Sequence, residues 1–259
     1  MSTELSLQEI FNRSFDSANN RLRTNSGASA TLVVAASNAP ALSKARADYV
    51  CDGVADDVEI QAALNALPTT GGCVVLSPGV FTIAAAITRT ISNLAILGSG
   101  PGGYGISPYG ATHLQTNQAI GIFDLGSASA TNHRGPTLEG LSFRDNSAGN
   151  ATALGAILIR RMNRARIRDC GFADFTAGYG INFDGTGDAC VEPMLEGIRI
   201  RNCLEGVKNT GTCTALTMIG GSLVGASLAL SKGVQWGDSA SIWGTAFDSW
   251  VTAVELTGP

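Results

Sequence analysis

Five acids crowd residues 48 to 59: Asp48, Asp52, Asp56, Asp57 and Glu59, in DYVCDGVADDVE. Carboxylates this dense could hold a calcium ion or act as paired acid and base. A calcium site would need further oxygen ligands converging from elsewhere, and no second acidic cluster with that spacing accompanies this one. The same run also suits the start of a helix. Asp56 or Asp57 can act as N-cap, its carboxylate accepting from first-turn N–H groups. Asp56 with Glu59 makes a D-x-x-E form of the capping box. Ile60, Ala63, Leu64 and Leu67 then recur at helical spacing, and Pro68 with Gly71-Gly72 ends the run. Negative charge is favoured at that end of a helix dipole. Asp56, Asp57 and Glu59 are therefore read as a helix cap.

Other residues carry chemistry more weakly. Asp184 and Asp188, in NFDGTGDAC, flank a Gly-rich turn, with Glu192 and Glu196 after it. Glycoside hydrolysis needs two carboxylates flanking a bond, so Asp184 and Asp188 are weak catalytic candidates. The plainer reading is Asp in a turn, bonding its own backbone. The run RRMNRARIR holds Arg160, Arg161, Arg164, Arg166 and Arg168. In a strand, Arg164, Arg166 and Arg168 share one face, opposite Ala165 and Ile167. That face is either a patch for an anionic glycan or an acidic partner, or a solvated surface balanced by Asp145, Asp169 and Asp174. Trp236, Trp243 and Trp250 lie near the C-terminus. They either stack on sugar rings or pack in a core or interface, which makes Trp243 and Trp250 candidates for glycan or partner binding. His113 and His133 sit in polar stretches outside any motif. The six cysteines form no CxxC pair and only two histidines exist, so no zinc site is expected. Most of the cysteines are expected to be reduced core thiols.

What must position these groups is bounded by composition. The chain has 259 residues, 44% of them hydrophobic and only 15% charged, with 32 glycines. Many short apolar runs separated by Gly-rich turns favour an all-β protein. A net charge of −4 offers no general attraction for nucleic acid or an anionic membrane. No apolar run is long enough to span a bilayer, and the N-terminus lacks a signal-peptide core. Synthesis in a cytoplasm is expected, with no cofactor.

The first 45 residues read as a separate segment. Leu7, Ile10, Phe11 and Phe15 form a narrow helical stripe over residues 6 to 18, with Ser6 and Glu9 placed as a capping box. Such a helix needs a surface to lie on. NNRLRTNSGASA follows as a linker, and TLVVAAS as a strand. The stripe either folds back on its own domain or docks on another protein. Residues 46 to 259 form the main domain, with the helix region at 46 to 72.

The run DGVADD (52–57), then IQAAL, then GGCVVLSPGVF, then NLAILGSG (93–100) resembles the N-terminal signature of the pectate-lyase-like superfamily. The resemblance implies a right-handed, single-stranded parallel β-helix, a fold shared by phage tailspikes and polysaccharide-degrading enzymes. LSLQEIFNRSFDSANNRLRTN is similar to N-terminal segments of tailed-phage virion proteins. Together these imply a virion protein made in a host cytoplasm, a homotrimer, with the 7–15 stripe attaching it to other virion proteins of the capsid or tail. The N-T-D, D-D, G-H-G and R-I-K motifs of the superfamily's galacturonan hydrolases do not occur in residues 100 to 259. A structural, non-enzymatic role as a capsid-decorating spike or tail-fibre component is therefore expected. A depolymerase tailspike or a non-catalytic host-glycan binding module are the alternatives.

A repeat supports a β-solenoid independently of the resemblance. One series runs Leu138-x-x-Leu141-x-Phe143, Ile167-x-x-Cys170-x-Phe172, Leu195-x-x-Ile198-x-Ile200, Leu216-x-x-Ile219 and Ile242-x-x-Thr245-x-Phe247. A second runs GAILI, GINF, GVKN, GVQW and AVEL, beginning at Gly155, Gly180, Gly206, Gly233 and Ala253. The two alternate, so each circuit adds one strand to each of several parallel sheets. Leu141, Ile167, Ile198 and Ile219 are expected to point inward. The helix after Asp56 is expected to cover the open N-terminal edge.

Overall fold

The computed structural model describes residues 30–101, 112–127, 129, 133–147, 153–225 and 230–256, with the short strands Phe15–Asp16 and Arg21–Leu22 upstream of them. Leu7, Ile10 and Phe11 lie outside the described residues. Phe15 does not continue a helix: Phe15–Asp16 pairs antiparallel with Arg21–Leu22.

Strand Gly72–Leu76 shows why the sheets form. Its residues alternate strictly between buried and half-buried, the period-two pattern of a strand with one face on a core. From there the chain makes seven circuits, each laying one strand in each of three parallel sheets, always in the same order. The first sheet has nine strands, because Thr31–Ala35 and Tyr49–Val50 precede Gly72–Leu76 at its edge. It thus begins upstream of the expected domain boundary at residue 46. The second and third sheets have seven strands each and open with Gly79–Thr82 and Ile87–Arg89 at their edges.

Each sheet carries an inward ladder. In the first, Val74, Ile96, Leu138, Ile167, Leu195, Met218 and Ile242 stand in register. In the second the ladder is Phe81, Leu114, Phe143, Phe172, Ile200, Leu223 and Phe247. In the third it is Ile87, Phe123, Ile157, Ile181, Val207, Val234 and Val254. Apart from Val254 in the last circuit, which is exposed, the three ladders meet in one core. Within it the Phe143 and Phe172 rings stack with centroids 5.2 Å apart and planes 6° apart, and such ring pairs add about 0.5–1.5 kcal/mol beyond area burial.

The corners recur as faithfully. Between the first and second sheets the turning residue has positive φ in successive circuits: Gly140, Asp169, Gly197, Gly220 and Gly244. Only Gly adopts this conformation freely, and Asp tolerates it. Asn93, Arg164, Glu192 and Ala215 do the same just before the first sheet. A single left-handed residue at a corner redirects the chain without spending a loop.

Three registers differ from the sequence-based alignment, the third being Met218 rather than Leu216 opposite Ile242. Gly155 pairs with Tyr179 rather than Gly180. This keeps Ile157 and Ile159 opposite Ile181 and Phe183, whereas the expected pairing would have turned Asn182 inward. Leu195 pairs with Met218 rather than Leu216. Ile219 accordingly faces outward, 41% exposed, against the expectation that it points in. Its supposed slot belongs to Gly221, where an added Cβ would lie 2.2 Å from the Ile198 carbonyl oxygen. Leu141, Ile167 and Ile198 are fully buried.

Among the described residues two helices precede or follow the strands of the first edge: α1 (Ala41–Ala45) and α2 (Asp57–Ala66). Helix α2 buries Ile60, Ala63 and Leu64.

Candidate functional site

The acidic cluster serves the sheet edges. Asp56 stands at the N-cap position of α2, but its side chain makes no cap hydrogen bond. Its Oδ1 instead accepts from Gly53 N–H at 2.7 Å and its Oδ2 from Thr82 N–H at 2.7 Å. Asp57 Oδ1 accepts from Ala84 N–H at 2.7 Å. Gln61, one turn on, accepts from Thr88 N–H at 2.8 Å and donates to Thr88 O at 2.9 Å. The capping box is not formed either, because the Asp56 N–H donates to Thr82 O at 2.9 Å. Asp56 and Asp57 therefore cap the open backbone at Thr82 and Ala84, and Gln61 that at Thr88, in place of a preceding strand, rather than the helix.

Cys51, Asp56 and Glu59 bring a thiol and two carboxylates within 4.8 Å of one another. Both Asp56 oxygens are already engaged. Burial, reinforced by the charges of Asp56, Glu59 and Asp52, pushes the Cys51 thiol well up, which disfavours the thiolate that a metal would need. Burial also raises the Asp56 pKa from its ordinary value, against the two backbone donors.

Asp184 is engaged as well. Arg160 donates to both Asp124 oxygens, at 2.8 and 3.1 Å, and to Asp184 Oδ2 at 3.1 Å. Asp184 Oδ1 accepts from Thr186 N–H at 3.0 Å and Asp188 Oδ1 from Ala189 N–H at 2.9 Å. Arg161 closes over the turn through Thr186 O at 2.7 Å. Asp184 and Asp188 thus act as turn and ladder residues.

The arginines divide. Arg168 pairs with Glu139 at 2.6 Å and Arg164 with Glu192 at 2.8 Å. Arg166, on the outer face of the first sheet, is exposed and makes no ion pair among the described residues. Arg134 shares this state. Strand His133–Arg134 runs parallel to Met162–Asn163, with Arg134 opposite Asn163. Two concave sites result at the corner between the third and first sheets. One, of about 320 Å³, is lined by His133, Arg134, Asn163, Arg164, Val191 and Glu192. The other, of about 260 Å³, is lined by Asn93, Leu94, Ala95, Arg134, Gly135, Thr137, Arg164 and Arg166. They share Arg134 and Arg164. Arg168 lies outside both linings. Arg134 has no sequence signal: it stands apart from the arginine run and joins it only when adjacent circuits stack.

Trp236 is fully buried against Phe183, the rings 5.6 Å apart and edge-on. Trp250 is tied to the last circuit by its indole N–H, which donates to Leu223 O at 2.9 Å. Trp243 is 66% exposed, on the outer row that contains Arg168, Glu196 and Ile219. His113 is not in a polar loop: it lies in strand Thr112–Thr116, buried, its Nδ1 2.9 Å from Ser142 Oγ. Burial, followed by the Arg144 charge, lowers its pKa to about 4. The cysteines are free. Cys190 and Cys213 stand in register on adjacent strands, and each influences the other's proton. Cys213 is pushed well up by the hydrogen bond with Cys190 and by burial.

No described helix is long and apolar enough to cross a membrane. No family model matches the chain, and no curated protein does. Among solved structures the chain is similar to the ORF18 protein of Geobacillus virus E2, at 18% identity and a TM-score of 0.50, over 78% of this chain and 41% of that one. The chain thus spans less than half the length of that phage protein, and what the two share is a fold of long parallel sheets.

Proposed function

We propose that the three sheets wind as a right-handed parallel β-helix of the pectate-lyase-like kind, and that the chain is a structural, non-enzymatic part of a tailed-phage particle, a capsid-decorating spike or tail-fibre component. One observation carries the non-enzymatic reading. Of the carboxylates best placed for chemistry, Asp56 and Asp184 engage both oxygens with backbone N–H groups and Arg160, and Asp57 and Asp188 each hold a backbone N–H through one oxygen. A hydrolase needs one carboxyl free to protonate a leaving oxygen and another free for water or attack. The phage origin of the similar structure supports the setting.

The residues upstream of Thr31, where the first sheet begins, then serve as virion attachment and linker, with Leu7, Ile10 and Phe11 as docking residues. The exposed Trp243, Val251 and Leu256 in the last circuit suit burial between copies of the chain in a homotrimer. Mass spectrometry of purified particles from the encoding phage tests the assignment, with light scattering for the trimer. The protein should be found in the particle, and a variant lacking residues 1 to 26 should fold but fail to load. Cleavage of capsular polysaccharide by the purified protein, seen as new reducing ends or unsaturated uronates, would favour the depolymerase alternative and overturn the reading.

A further inference from the structure

Cys190 and Cys213 meet in the core at the corner where the third sheet gives way to the first. They stand opposite each other on the adjacent strands Tyr179–Val191 and Glu205–Thr214. The pairing is not a simple continuation of the ladder. After the Gly185–Gly211 pair the earlier strand loops out through Thr186–Ala189, whereas the later one passes through Thr212 alone, and register returns at the two cysteines. Both side chains are buried, and their thiols hydrogen-bond each other. Parallel neighbours stand about 4.8 Å apart, inside the ~4.4–6.8 Å Cα separation that a disulfide tolerates.

The other four cysteines are placed differently. Cys73 stands opposite Thr31 and Ala95. Cys51, Cys170 and Cys203 turn their thiols to the backbone carbonyls of Asp56, Leu138 and Arg201. Burial raises the pKa of all four. Cys190 is shifted the other way. The hydrogen bond from Cys213 lowers its pKa and, against burial, so do the backbone N–H groups of Met162 and Arg161. A thiolate held by such donors is the reactive form of cysteine. Cys213 is pushed well up by the same hydrogen bond and keeps its proton. The site also lies close beneath the surface. Exposed Thr186 and Gly187 precede Cys190 in its loop, and exposed Gly211 and Thr212 lead directly into Cys213.

We propose that Cys190 and Cys213 are a redox pair that a peroxide closes to a disulfide joining two successive circuits. The Cys190 thiolate attacks one peroxide oxygen and the O–O bond breaks. The other oxygen leaves as hydroxide, takes up the proton that the thiol released, and becomes water, while Cys190 becomes a sulfenic acid. The Cys213 sulfur then attacks the Cys190 sulfur. The S–S bond forms, the S–O bond breaks, and the hydroxyl leaves with the Cys213 proton as a second water. Two thiols are oxidised and one peroxide is reduced to two waters. The bridge makes residues 190 to 213, one full circuit, a covalent ring, which restricts the unfolded chain. A reducing cytoplasm keeps the pair open and oxidising surroundings close it. The inference is independent of where the chain sits in a particle.

The test treats reduced full-length protein with hydrogen peroxide under native conditions, then unfolds it and blocks the remaining thiols with N-ethylmaleimide. Digestion with trypsin and an Asp-directed protease separates Cys170 from Cys190, because Asp174, Asp184 and Asp188 lie between them. Peptide mass should show Cys190 joined to Cys213, with Cys51, Cys73, Cys170 and Cys203 blocked by maleimide. The oxidised protein should melt about 5–10 °C above the reduced one, and dithiothreitol should reverse the shift. In Cys213→Ser, peroxide should stop at a sulfenic acid on Cys190, captured by dimedone. In Cys190→Ser the Cys213 thiol should stay reduced, and Cys170→Ser/Cys203→Ser should still form the bridge. Free Cys190 and Cys213 after peroxide, pairing of either with another cysteine, a bridge without a rise in melting temperature, or dimedone capture at Cys213 would overturn the proposal. The mass and melting measurements need only the unsubstituted protein, so they decide the matter even where a serine variant fails to fold.

Discussion

Asp56 and Thr82 hold each other twice. The Thr82 N–H donates to Asp56 Oδ2 at 2.7 Å, and the Asp56 N–H donates to Thr82 O at 2.9 Å. Thr82 ends the edge strand of the second sheet, where a preceding strand would otherwise have supplied these partners. The carboxylate stands in for that strand at Thr82, as the Asn38 amide oxygen does at Val80, and an open edge that could template association is closed by side chains.

Replacing Asp56 by Asn should therefore destabilise the whole domain, not only α2. The amide keeps one acceptor and turns a donor toward the other N–H. Leaving a buried group unpaired costs about 1–3 kcal/mol, and chemical denaturation should show a loss of that size. Asp56 also has a pH signature. Its folded pKa is raised above the ordinary 3.8, chiefly by burial. The folded state then holds the proton more tightly than the unfolded one, so stability falls as pH rises from 3.8 to the folded value. The Asn variant should lack that part of the slope.

His113 works in the opposite sense. Its pKa falls from 6.5 unfolded to about 4 folded, so the unfolded chain binds the extra proton between those values. Stability should be constant above 6.5, decline as pH drops, and level off below about 4, with a total loss of about 3 kcal/mol. Urea unfolding of the wild type and of His113→Gln over this range isolates the contribution. A variant that declines as steeply as the wild type would refute it.

Ile198 and Ile219 separate the inside from the outside. Ile198 is fully buried and Ile219 is 41% exposed. Truncation of Ile198 to Ala should cost about 2–5 kcal/mol, whereas Ile219→Ala should cost well under about 1 kcal/mol. Thermal melts of the two variants check the register directly, since the sequence-based alignment expects equal, large losses.

The left-handed corner can be probed at Gly197 and Gly220. Both have positive φ, but a Cβ at Gly197 would lie 2.6 Å from Asp169 Oδ1, while one at Gly220 meets nothing within 4 Å. Gly220→Ala should cost only the conformational term, about 1–2 kcal/mol. Gly197→Ala should cost more, because Asp169 must also move. Equal melting temperatures for the two variants would count against this account.

Local chemistry made several features readable in the amino-acid order. Alternation in GCVVL and LAIL marks strands because a pleated strand presents every second residue to one face. Pro68 and Gly71-Gly72 end α2 because neither Pro nor Gly sustains a helix. The interleaved repeats follow from each circuit having to fill the same slots. Tertiary structure decided which repeat pairs with which. Leu216 and Met218 are both apolar and two residues apart, so either satisfies the inward face, and only the stacking on Leu195 selects Met218. It also decided the use of the acids. Asp56 and Asp57 have the spacing of a helix cap, yet the unpaired N–H groups of Thr82 and Ala84, more than 20 residues on, are brought within 2.7 Å and take their carboxylates. The groove at Arg134 belongs to the same class. Its arginines come from different circuits, so their meeting is a property of how circuits stack, which no local stretch of the chain encodes.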